Sequence, residues 1–135
     1  MEILTKVQEK IEKTTDYSEK SILVVDDIQI NYLLVKALLK KTGANVIWAD
    51  DGFKAIDIVD SEKKIDLVLM DYNMPGLDGC ATTKIIKRKK KDLPVVLHSN
   101  FTNGLKMDNE IAIYTDILLI PVTSLMLLSI MKKYI

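Results

Sequence analysis

Leu67-Val68-Leu69-Met70-Asp71-Tyr72-Asn73-Met74-Pro75-Gly76-Leu77-Asp78-Gly79 is the stretch that decides how the chain folds. Its first four residues are apolar without a break, and the run stops on a carboxylate followed by turn-forming residues. An unbroken apolar run, unlike an alternating one, calls for cover on both faces, which parallel strands beneath helices receive. Ile22-Leu23-Val24-Val25 repeats the pattern upstream and also ends in acid, Asp26-Asp27. Val95-Val96-Leu97 and Ile117-Leu118-Leu119-Ile120 repeat it downstream. Val46-Ile47-Trp48-Ala49, opened by the polar Asn45, reads as an edge strand.

Helical periods separate these runs. Ile30, Leu33, Leu34, Ala37 and Leu38 predict an amphipathic helix with that face inward, ending before Gly43 as a C-cap. Ala55, Ile56 and Val59 predict a shorter helix after the Asp51-Gly52 turn. A third is expected from about Cys80 to Lys91 with Ala81 and Ile85 inward, and a fourth over Thr102 to Tyr114. The last starts after Pro121 and carries Leu127, Ile130, Met131 and Tyr134. Five strand–helix alternations predict an α/β fold: a flavodoxin-like, doubly wound, five-stranded parallel sheet of order 2-1-3-4-5 with helices on both faces. Residues 21–135 make this domain. Residues 1–20 are expected to be an extension or linker, with Ile3, Val7 and Ile11 on one side of a short helix.

Composition narrows the function classes. A chain of 135 residues holds one domain, and 48% hydrophobic with 28% charged residues is ordinary for a globular protein. Lys+Arg and Asp+Glu both count 19, so general attraction to nucleic acid or anionic membrane is not expected. A single cysteine excludes an internal disulfide and suits a reducing compartment. The apolar runs are far too short to span a membrane, and Met1–Lys10 is too charged for a signal peptide. The expectation is a cytoplasmic domain.

In an open parallel sheet, sites form at the carboxyl ends of the strands. Asp26-Asp27 and Asp71 end two strands that are neighbours in the order 2-1-3-4-5, about 5 Å apart. Three carboxylates in so small a volume repel, and at least one holds its proton above the normal range. A hard divalent cation removes the conflict, and an all-oxygen ligand set suits Mg²⁺. The bland alternative for Asp27 is capping the first helix.

Asp26-Asp27, the DxxMPxxDG segment from Asp71 to Gly79, and Ser99 after the fourth strand resemble the receiver domain of two-component response regulators over roughly residues 21–134. Asn31 and the lysine-rich end of the first helix are similar to receivers attached to hybrid sensor histidine kinases. The resemblance implies that Asp71 is the phosphoacceptor, forming an aspartyl phosphate. It implies that Asp27, Asp71 and the backbone carbonyl of Asn73 ligate Mg²⁺, with Asp26 acting mainly through bound water. Pro75 and Gly76 shape the loop, Ser99 hydrogen-bonds a phosphoryl oxygen, and Asp78 and Gly79 set the turn into the next helix. A sensor histidine kinase or phosphotransfer protein is the implied partner, and the chain is either free-standing or part of a larger hybrid kinase.

Three positions depart from the family pattern. The lysine usual before the proline after strand five is Ile120 here; Lys106 of the neighbouring loop is a candidate substitute that no motif marks. With Mg²⁺ the three aspartates sum to a formal charge of about −1, and phosphorylation takes the site to about −2 with no lysine to offset it. Ile117 stands where an aromatic switch residue is usual, and Asn100 is bulkier than the usual residue beside Ser99. A rival reading is therefore a degenerate receiver acting as a phosphorylation-independent binding module. A Mg²⁺-dependent phosphohydrolase ranks below both, because Asn73 stands where such enzymes commonly carry a second acid.

The remaining features have structural readings. Lys84, Lys87, Arg88, Lys89, Lys90 and Lys91 read as a solvated helix end suited to the dipole, not a nucleic-acid surface. His98 reads as a structural histidine and Cys80 as a buried, unreactive thiol. The apolar last helix is either core or, with strand five, a patch for homodimerisation or partner docking.

Overall fold

A computed structural model describes residues 3, 6, 16–99 and 110–135. Five strands, β1 (Ser21–Val25), β2 (Asn45–Ala49), β3 (Leu67–Met70), β4 (Val95–Ser99) and β5 (Asp116–Leu119), pair in parallel in the order β2-β1-β3-β4-β5. The doubly wound order expected from the apolar runs is the order observed, and β2 lies at an edge as its opening asparagine suggested. Every residue of Ile22–Val25 and Leu67–Met70 is fully buried. Burial on both faces is why these strands carry no alternation.

Four helices accompany the sheet among the described residues: α1 (Gln29–Leu38), α2 (Gly52–Asp60), α3 (Gly79–Lys89) and α4 (Ser124–Tyr134). Successive strand residues point to opposite faces and so build two cores. Ile22, Val24, Leu67, Leu69, Val96 and Leu118 pack with Val35 and Leu39 and with Leu127, Leu128 and Met131 of α4. Leu23, Val25, Val68, Met70, Val95 and Leu97 pack with Ala55 and Val59 of α2, Ile86 of α3 and Tyr114.

Two inward helix faces differ from expectation. On α1 the buried residue is Val35, followed by buried Leu39, while Ile30, Leu33, Leu34 and Ala37 face solvent. Asn31 donates its amide to Asp26 Oδ2 at 2.9 Å. In the same rotation the stripe below it at i+4, i+7 and i+8 is Val35, Leu38 and Leu39, which pack on the sheet. Sequence period located the helix but chose the wrong side. On α3 the buried stripe is Gly79, Thr82, Thr83 and Ile86, with Cys80, leaving Ala81 and Ile85 half-buried. Close approach of Gly79 to the backbone of Asp71 turns the helix that way.

Other boundaries follow local chemistry. α1 passes into a 3₁₀ turn, Lys40–Thr42, that ends at Gly43 with φ 79°, the expected left-handed cap. Asp51, Asp78 and Thr123 cap α2, α3 and α4 by accepting from the N–H groups of Lys54, Ala81 and Met126. The helix expected over Thr102 to Tyr114 lies mostly outside the described residues; Glu110 and Ile111 are helical and turns follow. Asn100 and Lys106 lie outside them as well, as does most of the expected helix at Ile3, Val7 and Ile11. Among the described residues no helix is long and apolar enough to cross a membrane.

Candidate functional site

β1 and β3 are hydrogen-bonded neighbours with Val25 opposite Met70, so the chain leaves both strands side by side. Asp26, Asp27 and Asp71 therefore meet, each offering a carboxylate oxygen within 4.8 Å of the other two. An all-carboxylate trio of this size fits a hard divalent cation, and Mg²⁺ with retained waters matches it better than Zn²⁺, which favours nitrogen and sulfur.

The three acids are held differently. Asp26 is almost wholly buried. Its Oδ1 accepts from the N–H of Ile28 and its Oδ2 from Asn31, both at 2.9 Å. Its carbonyl accepts from Trp48 Nε1 at 2.8 Å, and the Trp48 ring stacks on Tyr32 of α1 at 5.4 Å. Burial raises the Asp26 carboxyl and outweighs the opposing bonds from Ile28 and Asn31. Asp27 is exposed and does not cap α1, because Ile28 holds the cap position with no side-chain bond. Its carboxylate is consequently available to the cluster.

Asp71 is half-buried, and its carboxyl is pushed up to about 7. Desolvation is the largest cause, followed by the charges of Asp26 and Asp27; the N–H groups of Asn73 and Tyr72 pull the other way. Such a group gains when a cation arrives, since the repulsion that raised it then becomes shared attraction.

The loop beyond Asp71 is exposed at Asn73, Pro75 and Gly76 and anchored by buried Met74 and Gly79. Ser99 is buried at the end of β4, and its carbonyl accepts from the N–H of Ile120. Ile120 itself is 41% exposed, directly before a cis bond to Pro121. An alkyl side chain thus occupies the position where the family pattern has a cation. Ile117 is half-buried and packs against the α2–α3 core.

Sequence reading missed several contributors. Tyr72, adjacent to Asp71, donates its hydroxyl to Glu110 Oε2, which links the site loop to the segment ahead of β5. That bond pushes the Tyr72 phenol up to about 12. Tyr114, three residues before Ile117, is buried, and burial raises its phenol. Tyr72 lay within the acidic-loop motif and Tyr114 at the end of a stretch expected to be helical, and neither position signalled these contacts. His98 is buried, opposite Leu118 of β5, and desolvation lowers its pKa against the opposing charge of Asp26. The structural reading suits it. Cys80 is buried with its thiol raised, first by burial.

The basic cluster is partly committed to the fold. Lys87 Nζ donates to the carbonyl of Leu93 at 2.7 Å, and Lys89 pairs with Asp60 at 2.8 Å. α4 buries one face, with Leu127, Leu128, Ile130 and Met131 in the core; Leu119, Ile120 and Met126 form an exposed apolar margin where it meets β5.

A family model described as the response regulator receiver domain matches residues 22–116. The sensor protein GacS of Pseudomonas syringae pv. syringae is 42% identical over 80 residues, which is 56% of this chain and 9% of that protein. The autoinducer 2 sensor kinase/phosphatase LuxQ of Vibrio cholerae is 42% identical over 88 residues, 63% of this chain and 10% of that protein. The chain thus spans about a tenth of the length of these relatives. A Thermotoga maritima response regulator solved in complex with Mg(2+)-BeF superposes with a TM-score of 0.78 at 28% identity, covering 86% of this chain and 99% of that one. The receiver domain of a Pseudomonas aeruginosa sensor histidine kinase, solved with magnesium in its active-site cleft, superposes at 0.75 with 27% identity, covering 85% and 96%.

Proposed function

The chain belongs to the response regulator receiver domain family, and on that premise we propose that Asp71 accepts a phosphoryl group in a two-component phosphorelay, the signal leaving by protein contact. The observation that carries this reading is the convergence of Asp26, Asp27 and Asp71 at the ends of adjacent strands. Residues 21–135 are the receiver and residues 1–20 an extension or linker. The module is a phosphoacceptor in the cytoplasm, not a stand-alone enzyme. Its donor is a sensor histidine kinase or phosphotransfer protein, in keeping with the kinases among its relatives.

A carboxylate oxygen of Asp71 forms a bond to phosphorus while the bond to the donor nitrogen or acyl oxygen breaks, the electron pair leaving with the donor. Asp71 is nucleophilic only when ionised, which its raised pKa allows above about pH 7 in the absence of metal. Asp26, Asp27, Asp71 and the carbonyl of Asn73 would hold a Mg²⁺ ion, with Asp26 aimed by Ile28 and Asn31. The ion would supply positive charge against the negative charge that develops on transfer. The Ser99 hydroxyl takes one phosphoryl oxygen.

Intact-protein mass after incubation with acetyl phosphate and Mg²⁺ tests the reading. One added phosphoryl group is expected on the parent and none on Asp71→Asn or without metal. Labelling that survives in Asp71→Asn would sink it.

Ile120 favours a second reading, in which the module binds partners without phosphate. The two separate on one variant. A charged hydrogen bond contributes about 1.5–3 kcal/mol, so Ile120→Lys should raise the steady-state phosphorylated fraction roughly tenfold or more wherever it is far from saturation. Equal labelling of parent and variant would show that position 120 does not limit the reaction. No labelling of either would favour the phosphate-independent module.

A further inference from the structure

β2 closes one side of the sheet, with β1 as its single strand partner. Along a parallel edge strand, alternate residues turn both backbone groups toward the neighbouring strand and the rest turn both away. Asn45 donates its N–H to the carbonyl of Lys20 at 2.9 Å, and the carbonyl of Ala49 accepts from the N–H of Asp26 at 3.1 Å. Asn45, Ile47 and Ala49 are therefore the residues turned toward β1. Val46 and Trp48 direct their N–H and C=O groups along the open edge.

A groove of about 900 Å³ lies against this edge. Val46 packs against the α1-side core and Ile47 against the α2-side core, yet both line the groove. The groove therefore runs across the edge of the strand and not over one face of the sheet. Leu33 and Ala37, both exposed on α1, form an apolar wall. Lys36, Lys40 and Lys63 complete the lining with positive charge, and no acid lines it among the described residues. All three lysines are exposed, and none is ion-paired among the described residues.

We infer that this edge accepts an extended acidic segment of a partner protein as an added strand. The open groups of Val46 and Trp48 bond its backbone, its apolar side chains pack on Leu33 and Ala37, and its carboxylates meet the three lysines. β2 is five residues long, so the segment that it aligns spans about 16 Å at about 3.3 Å per residue. Charge selects this occupant over a second copy of the chain. Two edges paired about a two-fold axis bring Lys36, Lys40 and Lys63 of one copy toward those of the other, and lysines placed this way keep natural sheet edges apart. An acidic strand turns the same charges into attraction. This inference stands independently of whether Asp71 takes phosphate.

A blocked hexapeptide of alternating Glu and Val tests it, titrated into the full chain with a chelator present so that the carboxylate trio plays no part. Hydrogen exchange at the Val46 and Trp48 amides should slow severalfold, and the fluorescence of Trp48, the chain's single tryptophan, should change with the same midpoint. Lys36→Glu with Lys40→Glu and Lys63→Glu removes three exposed charge pairs and should weaken the peptide about tenfold or more. Val46→Pro removes an N–H that β1 does not use, at a position where an edge strand tolerates proline. It should abolish binding while circular dichroism shows the fold kept. No binding at millimolar peptide, or equal binding of a Lys-Val counterpart, would overturn the inference. Binding that leaves the Val46 and Trp48 amides unprotected would overturn it in favour of docking on α1. Protection of those amides on concentrating the chain alone would overturn it in favour of a second copy.

Discussion

Gly79→Ala should cost about 3 kcal/mol of stability and weaken Mg²⁺ binding with it. A β-carbon at Gly79 would stand 2.1 Å from the carbonyl oxygen of Asp71 and 3.0 Å from the Cα of Tyr72. Both are backbone atoms, so no side chain can rotate away, and overpacking of this kind sits at the upper end of its usual range of about 1–3 kcal/mol. Relief requires the β3–α3 loop to move, which carries Asp71 away from Asp26 and Asp27. Urea unfolding and calorimetric Mg²⁺ titration read the two effects. Unchanged values in both would show that the loop is slack and that Gly79 does not set the position of Asp71.

Asp71→Asn should reverse the order of stabilities according to whether metal is present. The Asp71 carboxyl is raised to about 7, chiefly by burial and then by its acidic neighbours. A carboxyl raised on folding favours the folded state while protonated. Its contribution is complete below the unfolded value near 3.8 and is lost as pH rises through about 7. The metal-free parent should therefore weaken between about pH 4 and pH 7, and the asparagine variant should lack most of that dependence. Solvent screening at a half-exposed group reduces the expected gain to about 1–2 kcal/mol at pH 8. With Mg²⁺ at a hundred times its dissociation constant, the parent gains about 2.7 kcal/mol by linkage. The variant, deprived of one charged ligand, should bind Mg²⁺ more than about a hundredfold less tightly, beyond the loss typical of a supporting partner. Chelator and Mg²⁺ unfolding curves for both proteins make the check. Parallel pH profiles without metal would mean that the three carboxylates are not coupled.

Both predictions depend on how α1 and α3 are turned, and neither rotation is legible in the apolar pattern. Ile30, Leu33, Leu34 and Ala37 form the stronger stripe on α1, yet the sheet receives Val35 and Leu39. The observed side packs Val35 and Leu39, with Tyr32 and Leu38, against the sheet and lets Asn31 donate to Asp26. On α3 the deciding contact is between a glycine and the backbone of another element. Hydropathy assigns no weight to either contact, and each joins residues on different elements. The Tyr72–Glu110 bond is illegible for the same reason: 38 positions separate its partners.

Strand identity came from the sequence alone, and strand order with the meeting of Asp26, Asp27 and Asp71 came from the sequence together with its likeness to flavodoxin-like folds. They follow from local rules: unbroken apolar runs mark strands buried on both faces, and right-handed crossovers leave few orders for five of them. Acids that close two neighbouring parallel strands must then end side by side. Only the tertiary structure decided which helix faces are buried, that Asp27 is free of the α1 cap, and that an isoleucine stands half-exposed where the family pattern has a lysine. Those outcomes turn on single hydrogen bonds and single close contacts between distant residues, and a periodicity summed along the chain carries no record of them.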